Sequence, residues 1–470
     1  MVFKALKVTL FFLIVFGILF TCRTSTGNDR IRPELQPLQE AIQIGETLLS
    51  NSVQGNDEGQ YPAQAFGNCR AVLKQAKKLL KEDGQQITKS QADSLVDMVY
   101  DALTVFESSV NSEFNELIDT RASKETRYLY HNLKALAPEH MLFGMHDALG
   151  YGVGWKDMDT RSDVKDVCGD YPALFSWDFY YFFQSSEQEL QHYIFRIKYA
   201  HESGGVTTLC WHQFDPQGNG FYNKNIHYNV VASLLPGGQY HRFYKNKLVT
   251  LARQVKRLRG TDGTSIPIIF RPYHEQNGNW FWWGKGHRSE QEYIALWRFT
   301  VSYLKDSLGV HSFIYAFSPD GNQFEEKQGY LIDYPGDDVV DILGLDFYFG
   351  KGDDEEIRRF QKRVLWCVEY AQAKNKLAAL TEVGDYYGFS GQQANLKIPS
   401  WYTRCFLYPL KYHAQAKKIA YGAVWRNASK SHHFAPYPGH ASVADFLKFY
   451  QDDFTLFLKD LPSMFKLMNE

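Results

Sequence analysis

From about residue 120 onward, short apolar runs recur: Met141–Phe143, Ala173–Trp177, Val206–Cys210, Pro267–Phe270, Phe313–Phe317, Asp341–Leu345, Leu377–Leu380 and Ala420–Val424. Helical patterns such as Glu187–His201 and Glu290–Leu308 fill most of the gaps. A run that is apolar without alternation suits a strand buried on both faces, and parallel strands need a long crossover between them, most often a helix. The spacing predicts an α/β chain with a (β/α)8 barrel over residues 120–465. A doubly wound open sheet is the alternative, but no phosphate-binding glycine loop follows the first strand. Gly150-Tyr151-Gly152-Val153-Gly154-Trp155 has the wrong spacing for one, and its aromatics mark a loop that shapes a cleft.

In such a barrel the C-terminal strand ends converge on one face, where chemistry sits. Here the runs continue into His146-Asp147, Trp177-Asp178, Trp211-His212, Arg271 to Glu275, Ser318 to Asp320, Asp346 to Tyr348, Glu382 and Trp425-Arg426. The fourth run is the richest. Pro267–Phe270 leads to Arg271, His274 and Glu275, then to Trp280-Phe281-Trp282-Trp283. We expect the strand to hold Glu275 rigidly and the aromatics to offer flat faces to sugar rings. The seventh run ends in a second carboxylate, Glu382. Two carboxyl groups in one cleft meet the needs of glycoside hydrolysis, one protonating the leaving oxygen and one attacking or activating water. A separation of about 5–5.5 Å is expected for a retaining pair. Arg271, pointing inward, would keep one Glu ionised, while apolar rings favour the protonated form of the other.

The remainder of the chain reads differently. Residues 1–22 look like an export leader, with Lys4 and Lys7 before an apolar Leu10–Phe20 and then Cys22, the pattern of a bacterial lipoprotein signal lipidated on that cysteine. Ordinary secretion is the alternative. Residues 23–32 form a polar tether. Between 33 and 118, three amphipathic patterns predict a small three-helix bundle serving as spacer or accessory module: Leu35 to Leu49, Val72 to Leu80 and Leu95 to Phe106. The other five cysteines lack metal-ligand spacing and read as buried small hydrophobes. His432-His433 has no matching ligands around it, so no metal is called for, and no cofactor either. The acidic runs Asp337-Asp338 and Asp353 to Glu356 read as solvated faces or helix starts. Asn427-Ala428-Ser429 is a glycosylation sequon discounted for its place at a strand end. A net charge of -2 excludes a nucleic-acid footprint, and an aromatic share of 16% favours flat ligands.

The run Phe270–Gly284 together with Thr381-Glu382-Val383-Gly384 resembles glycoside hydrolase family 26, most closely its β-mannanases. His146-Asp147 leading to Trp155, Gly169-Asp170-Tyr171-Pro172, Trp211-His212, Trp425-Arg426-Asn427 and Pro436 to His440 extend the resemblance over residues 120–465. It implies a retaining mechanism with Glu275 as acid/base and Glu382 as nucleophile. Arg271, His274 and Tyr348 would support the pair, and Trp155, His212, Trp280 and Trp425 would line sugar subsites. The substrate implied is β-1,4-mannan, glucomannan or galactomannan, cleaved internally by an extracytoplasmic, lipid-anchored monomer. Gln276 departs from the family pattern and bears on leaving-group contacts. A β-glucanase or xylanase of the same family, or a non-catalytic surface glycan-binding lipoprotein, are the competing readings.

Overall fold

The computed structural model describes residues 32–82, 86–386 and 394–468. The leader, Cys22 and most of the tether therefore lie outside the described residues. Eight strands close into a parallel barrel: β1 (Met141–His146), β2 (Leu174–Asp178), β3 (Val206–Cys210), β4 (Ile268–Arg271), β5 (Phe313–Phe317), β6 (Ile342–Phe349), β7 (Leu377–Asp385) and β8 (Ile419–Val424). Each pairs with the next, and β8 returns to β1 with Leu142 opposite Tyr421 and Met145 opposite Val424. The expected fold is thus present, each apolar run marking one strand.

Alternation along the strands explains why these runs had to be apolar throughout. In β1, Met141, Phe143 and Met145 face an outer core shared with the surrounding helices. Leu142 instead joins an inner core with Leu174, Val206, Ile269, Ile314, Ile342, Leu377 and Tyr421. Successive side chains of a strand point to opposite faces, so a strand between two apolar layers has no polar side to show. A helix (Lys124–Leu136) closes the inner core, contributing Leu129, Tyr130 and Leu133.

Before the barrel stand three helices, α1 (Gln36–Asn51), α2 (Ala63–Glu82) and α3 (Lys89–Glu107). Their shared core includes Leu38, Ile42, Leu48, Leu73, Ala76, Val99, Leu103 and Phe106. Gly45 permits the close approach: a Cβ there would meet Leu73 at 2.7 Å and Leu103 at 3.0 Å. The bundle docks on the barrel through Glu107, whose carboxylate accepts Ser265 N–H and Oγ–H at 2.7 Å each and lies 2.9 Å from Arg259. All of this is buried. Asp97 and Asp101 add ion pairs to Arg253 and Lys256 of a barrel helix, His241–Lys256, and to Arg257 just beyond its end. Ser265 precedes β4 and Glu275 follows it, so the bundle sits at the opposite end of that strand from Glu275.

Candidate active site

β4 ends at Arg271. Glu275 is therefore not on the strand, as expected from sequence, but in the turn beyond it. Both Tyr273 (φ 48°) and Glu275 (φ 52°) adopt left-handed backbone. Non-glycine residues rarely do so, and such strain clusters where a side chain must be aimed. Bonds across the mouth hold the turn: Glu275 N–H to Ser318 O at 2.8 Å, and Asn277 Nδ2 to Asp320 O at 2.8 Å. Glu382, by contrast, lies within β7.

The two carboxyl groups meet. One oxygen each of Glu275, Asp346 and Glu382 lies within 4.8 Å of the others. That closeness puts the three carboxyl groups in one site. Arg271 bridges two members of the trio, with Nη2 on Glu382 Oε1 and Nη1 on Asp346 Oδ2 at 2.7 Å. Tyr348 donates its hydroxyl to Glu382 Oε2 at 2.6 Å. Asp346 in turn accepts Thr381 Oγ1 at 2.6 Å. Both oxygens of Glu382 are thereby fixed, and the Arg271 guanidinium is shared between two acids.

Among the described residues no cation bonds Glu275, and its Oε2 accepts the indole N–H of Trp280 at 2.8 Å. Burial, then the charges of Glu382 and Asp346, push its pKa well above the usual carboxylate range. The neighbouring imidazoles are held neutral. Burial, and after it the Arg271 charge, sets His274 well below the ordinary histidine value, and burial does the same for His146.

The other residues singled out from sequence fall in different places. His212 packs against His274 with ring centroids 4.7 Å apart, and its Nδ1 is 2.6 Å from Asp178 Oδ2. Trp425 stacks on His146 at 3.9 Å and lies 5.9 Å from His212. These rings make one wall of the mouth. Trp155 stands aside: its Nε1 donates to Asp163 at 2.6 Å and Arg161 covers its ring at 4.8 Å. Asp163 also accepts Asn427 Nδ2 at 2.8 Å, tying that loop to the end of β8 and burying the sequon asparagine. The aromatic cluster after Glu275 differs from its expected role. Phe281, Trp282 and Trp283 are buried, with Trp282 Nε1 on Gln213 O and Trp283 Nε1 on His274 O. They form the loop's own core, which spares the cost of exposing so much apolar surface. Only Trp280 of the four is left partly open.

Sequence reasoning gave Asp346 no role, although it noted the strand end, and it missed Tyr222. Tyr222 is 50% exposed and stacks on Phe281 at 5.6 Å, beside Trp280. Its signal was weak, one tyrosine in a polar loop. The minor expectations fared well. Asp353 caps the helix Asp354–Ala373, and the described cysteines Cys69, Cys168, Cys210, Cys367 and Cys405 are unpaired and mostly buried.

A closed parallel barrel whose C-terminal mouth holds two facing carboxyl groups, one bonded by a guanidinium and a phenol and the other with its pKa raised by burial and acidic neighbours, is the architecture on which retaining glycoside hydrolases are built. The particular family follows from comparison. The model of glycosyl hydrolase family 26 matches residues 118–439, and the chain belongs to that family. A mannan endo-1,4-β-mannosidase of Bifidobacterium adolescentis is 34% identical over 290 residues, 59% of this chain and 28% of that protein. The chain thus spans under a third of that relative's length, and 48% of a Bacillus subtilis mannan endo-1,4-β-mannosidase where the two align. Among solved structures, a family 26 protein from Muricauda sp. superposes with TM-score 0.70 at 34% identity, over 75% of this chain and 96% of that one. A family 26 β-mannanase from Bacteroides ovatus does so with TM-score 0.68 at 33% identity, over 74% and 99%.

Proposed function

We propose that this protein hydrolyses internal β-1,4-mannosidic linkages of mannan, glucomannan or galactomannan by double displacement. The observation that carries the reading is the asymmetry of the carboxyl pair. Glu382 has both oxygens oriented by Arg271 and Tyr348, as a nucleophile attacking one carbon requires. Burial and the charges of Glu382 and Asp346 favour the protonated form of Glu275, as a general acid requires. In the first step Glu275 protonates the departing oxygen while Glu382 attacks the anomeric carbon. Once Glu382 is glycosylated its charge is gone, one cause of the raised pKa disappears, and Glu275 becomes a competent base for the incoming water. His274 backs the pair as a neutral ring, and His212, Trp280 and Trp425 offer the surfaces against which sugar rings pack. The mannosidase relatives and the β-mannanase structure support mannan over xylan or glucan. New reducing ends from mannan, and markedly fewer from xylan or mixed-linkage β-glucan, are expected. Equal release from all three would remove the substrate assignment, and none from any would favour a glycan-binding protein.

The same reading gives the protein an extracytoplasmic site of action as a lipid-anchored monomer. Lys4 and Lys7, the apolar Leu10–Phe20 and Cys22 support it. In cells producing the full chain, fatty-acid label should reach the protein and be lost in Cys22→Ser. Label retained in that variant would refute the anchor.

A further inference from the structure

The charges of the helical bundle are sorted by side. Asp97, Asp101 and Glu107 of α3 meet cations of the barrel, and Asn51 at the end of α1 reaches Asp262 O at 3.3 Å. Glu40 of α1 is near enough to Lys198 of the barrel to favour its charged form. The helix α2 carries the opposite sign. Arg70, Lys74, Lys77, Lys78 and Lys81 are all exposed, and no acid interrupts the sequence from 63 to 81. Their spacing puts all five on one face, beside the apolar stripe Phe66, Cys69, Leu73 and Ala76 that enters the bundle core. Arg70 lies over the Phe66 ring at 5.1 Å. A concavity of about 420 Å³ between α1 and α2 has Arg70, Lys74 and Lys77 along it, over Leu49 and Leu73. Its one acid, Glu46, pairs with Lys77.

The chain enters the bundle at the end where this row of cations stops. Arg32, the last residue of the tether, donates Nη2 to Ile87 O at 2.8 Å. Leu35, Ile87 and Ala92 pack with Leu79 and Leu80, so the tether arrives where α2 finishes in Lys77, Lys78 and Lys81. Lys89, exposed at the start of α3, is at the same end. Acids are present there too: Glu34, which pairs with Arg32, and Glu82 and Asp83, which follow Lys81 in the sequence. They stand at the end of the row and not along it.

A row of exposed cations beside a lipid attachment point fits an anionic lipid surface. We propose that this face of α2 rests on the phosphate headgroups of the membrane to which the chain is anchored. The inference rests on the reading of the chain as lipid-anchored. Residues 23–32 can span no more than about 36 Å, so the anchor keeps the face within reach of headgroups whose attraction fades over about 8–10 Å. A single lipid chain holds a protein weakly, and a polybasic patch beside it makes the attachment stable.

The test uses the chain from residue 22 onward with Cys22→Ser, which carries no lipid, and vesicles of phosphatidylcholine with or without one-third phosphatidylglycerol. Each Lys or Arg beside an anionic surface contributes about fivefold to partitioning. Co-sedimentation should show binding to the phosphatidylglycerol vesicles about tenfold or more above the neutral ones, abolished by high salt. The variant Arg70→Gln/Lys74→Gln/Lys78→Gln/Lys81→Gln should lose that preference with its circular dichroism unchanged. Lys74→Arg/Lys78→Arg/Lys81→Arg keeps the charge and should bind as the wild type does. Equal binding to both kinds of vesicle, or equal binding by the wild type and the Gln variant, would overturn the proposal. So would equal weakening in the Arg variant, the mark of a structural effect. Retention on immobilised polygalacturonate without vesicle binding would give the face to an acidic glycan instead. Fatty-acid labelling of Cys22 is read separately. Label absent with anionic binding present fails the anchor and keeps the face, and label present with no anionic binding does the reverse.

Discussion

The neighbours of Glu275 push it towards its protonated form, and its indole bond works the other way. Burial and the charge of Glu382 raise its pKa, whereas the Trp280 N–H donated to Oε2 favours the ionised form. A general acid acts while protonated, so with Glu275 in that role the basic limb of kcat/KM should lie well above the ordinary carboxylate range. Trp280→Phe keeps an aromatic ring but removes the donor. Glu275 should then hold its proton to still higher pH, moving the basic limb upward in a pH profile on an oligosaccharide substrate. A downward or absent shift would mean that the indole bond does not act on the acid. At this scale the sequence was informative about identity and poor about placement. Glu275 and Glu382 both stood at the ends of apolar runs, yet the left-handed turn at Tyr273 and Glu275 left no trace, since neither residue is glycine. Asp346 was silent for a different reason. Its place after the sixth run marked it as a strand-end residue, but its partners Arg271 and Thr381 are remote in sequence, so nothing local gave it a role.

Among the elements, the strands were the easiest to read. A barrel strand is apolar on both faces, so each appeared as an unbroken run, and the structure extended several by a few residues into the mouth. The aromatic loop after β4 was misjudged because sequence cannot tell a ring that faces a ligand from one that fills its own loop. The bundle was legible as helices, but its docking was not. Glu107 looked like one more charge on an amphipathic helix, while in the fold it closes a buried pair with Arg259 and caps Ser265. Removing one partner of a buried pair leaves the other uncompensated, at a cost of about 3–5 kcal/mol. Glu107→Ala should therefore lower Tm and the urea midpoint by an amount of that order. KM should stay near the wild-type value, because the clamp lies at the far end of β4 from the acid. For a chain of this length about 1 kcal/mol moves Tm by roughly 1 °C, so a Tm and urea midpoint indistinguishable from wild type would show that the clamp contributes little.

Taken whole, the molecule separates its tasks along the barrel axis. The bundle grips the N-terminal side through the segment before β4, and the carboxylates occupy the C-terminal side with aromatic walls around them. An N-terminal anchor on such a chain would leave the mouth facing away from the bundle, open to a long polymer. That arrangement has a purpose only if Glu382 forms a covalent bond to sugar during turnover, and this step can be trapped directly. An activated 2-fluoro-mannobioside slows both steps of a retaining enzyme, the second more than the first, so the glycosyl-enzyme accumulates. Peptide mass spectrometry after such trapping should find one fluoroglycosyl unit on the peptide carrying Thr381-Glu382-Val383-Gly384, attached to Glu382. A label on Glu275, or no label together with products of inverted anomeric configuration, would contradict the account.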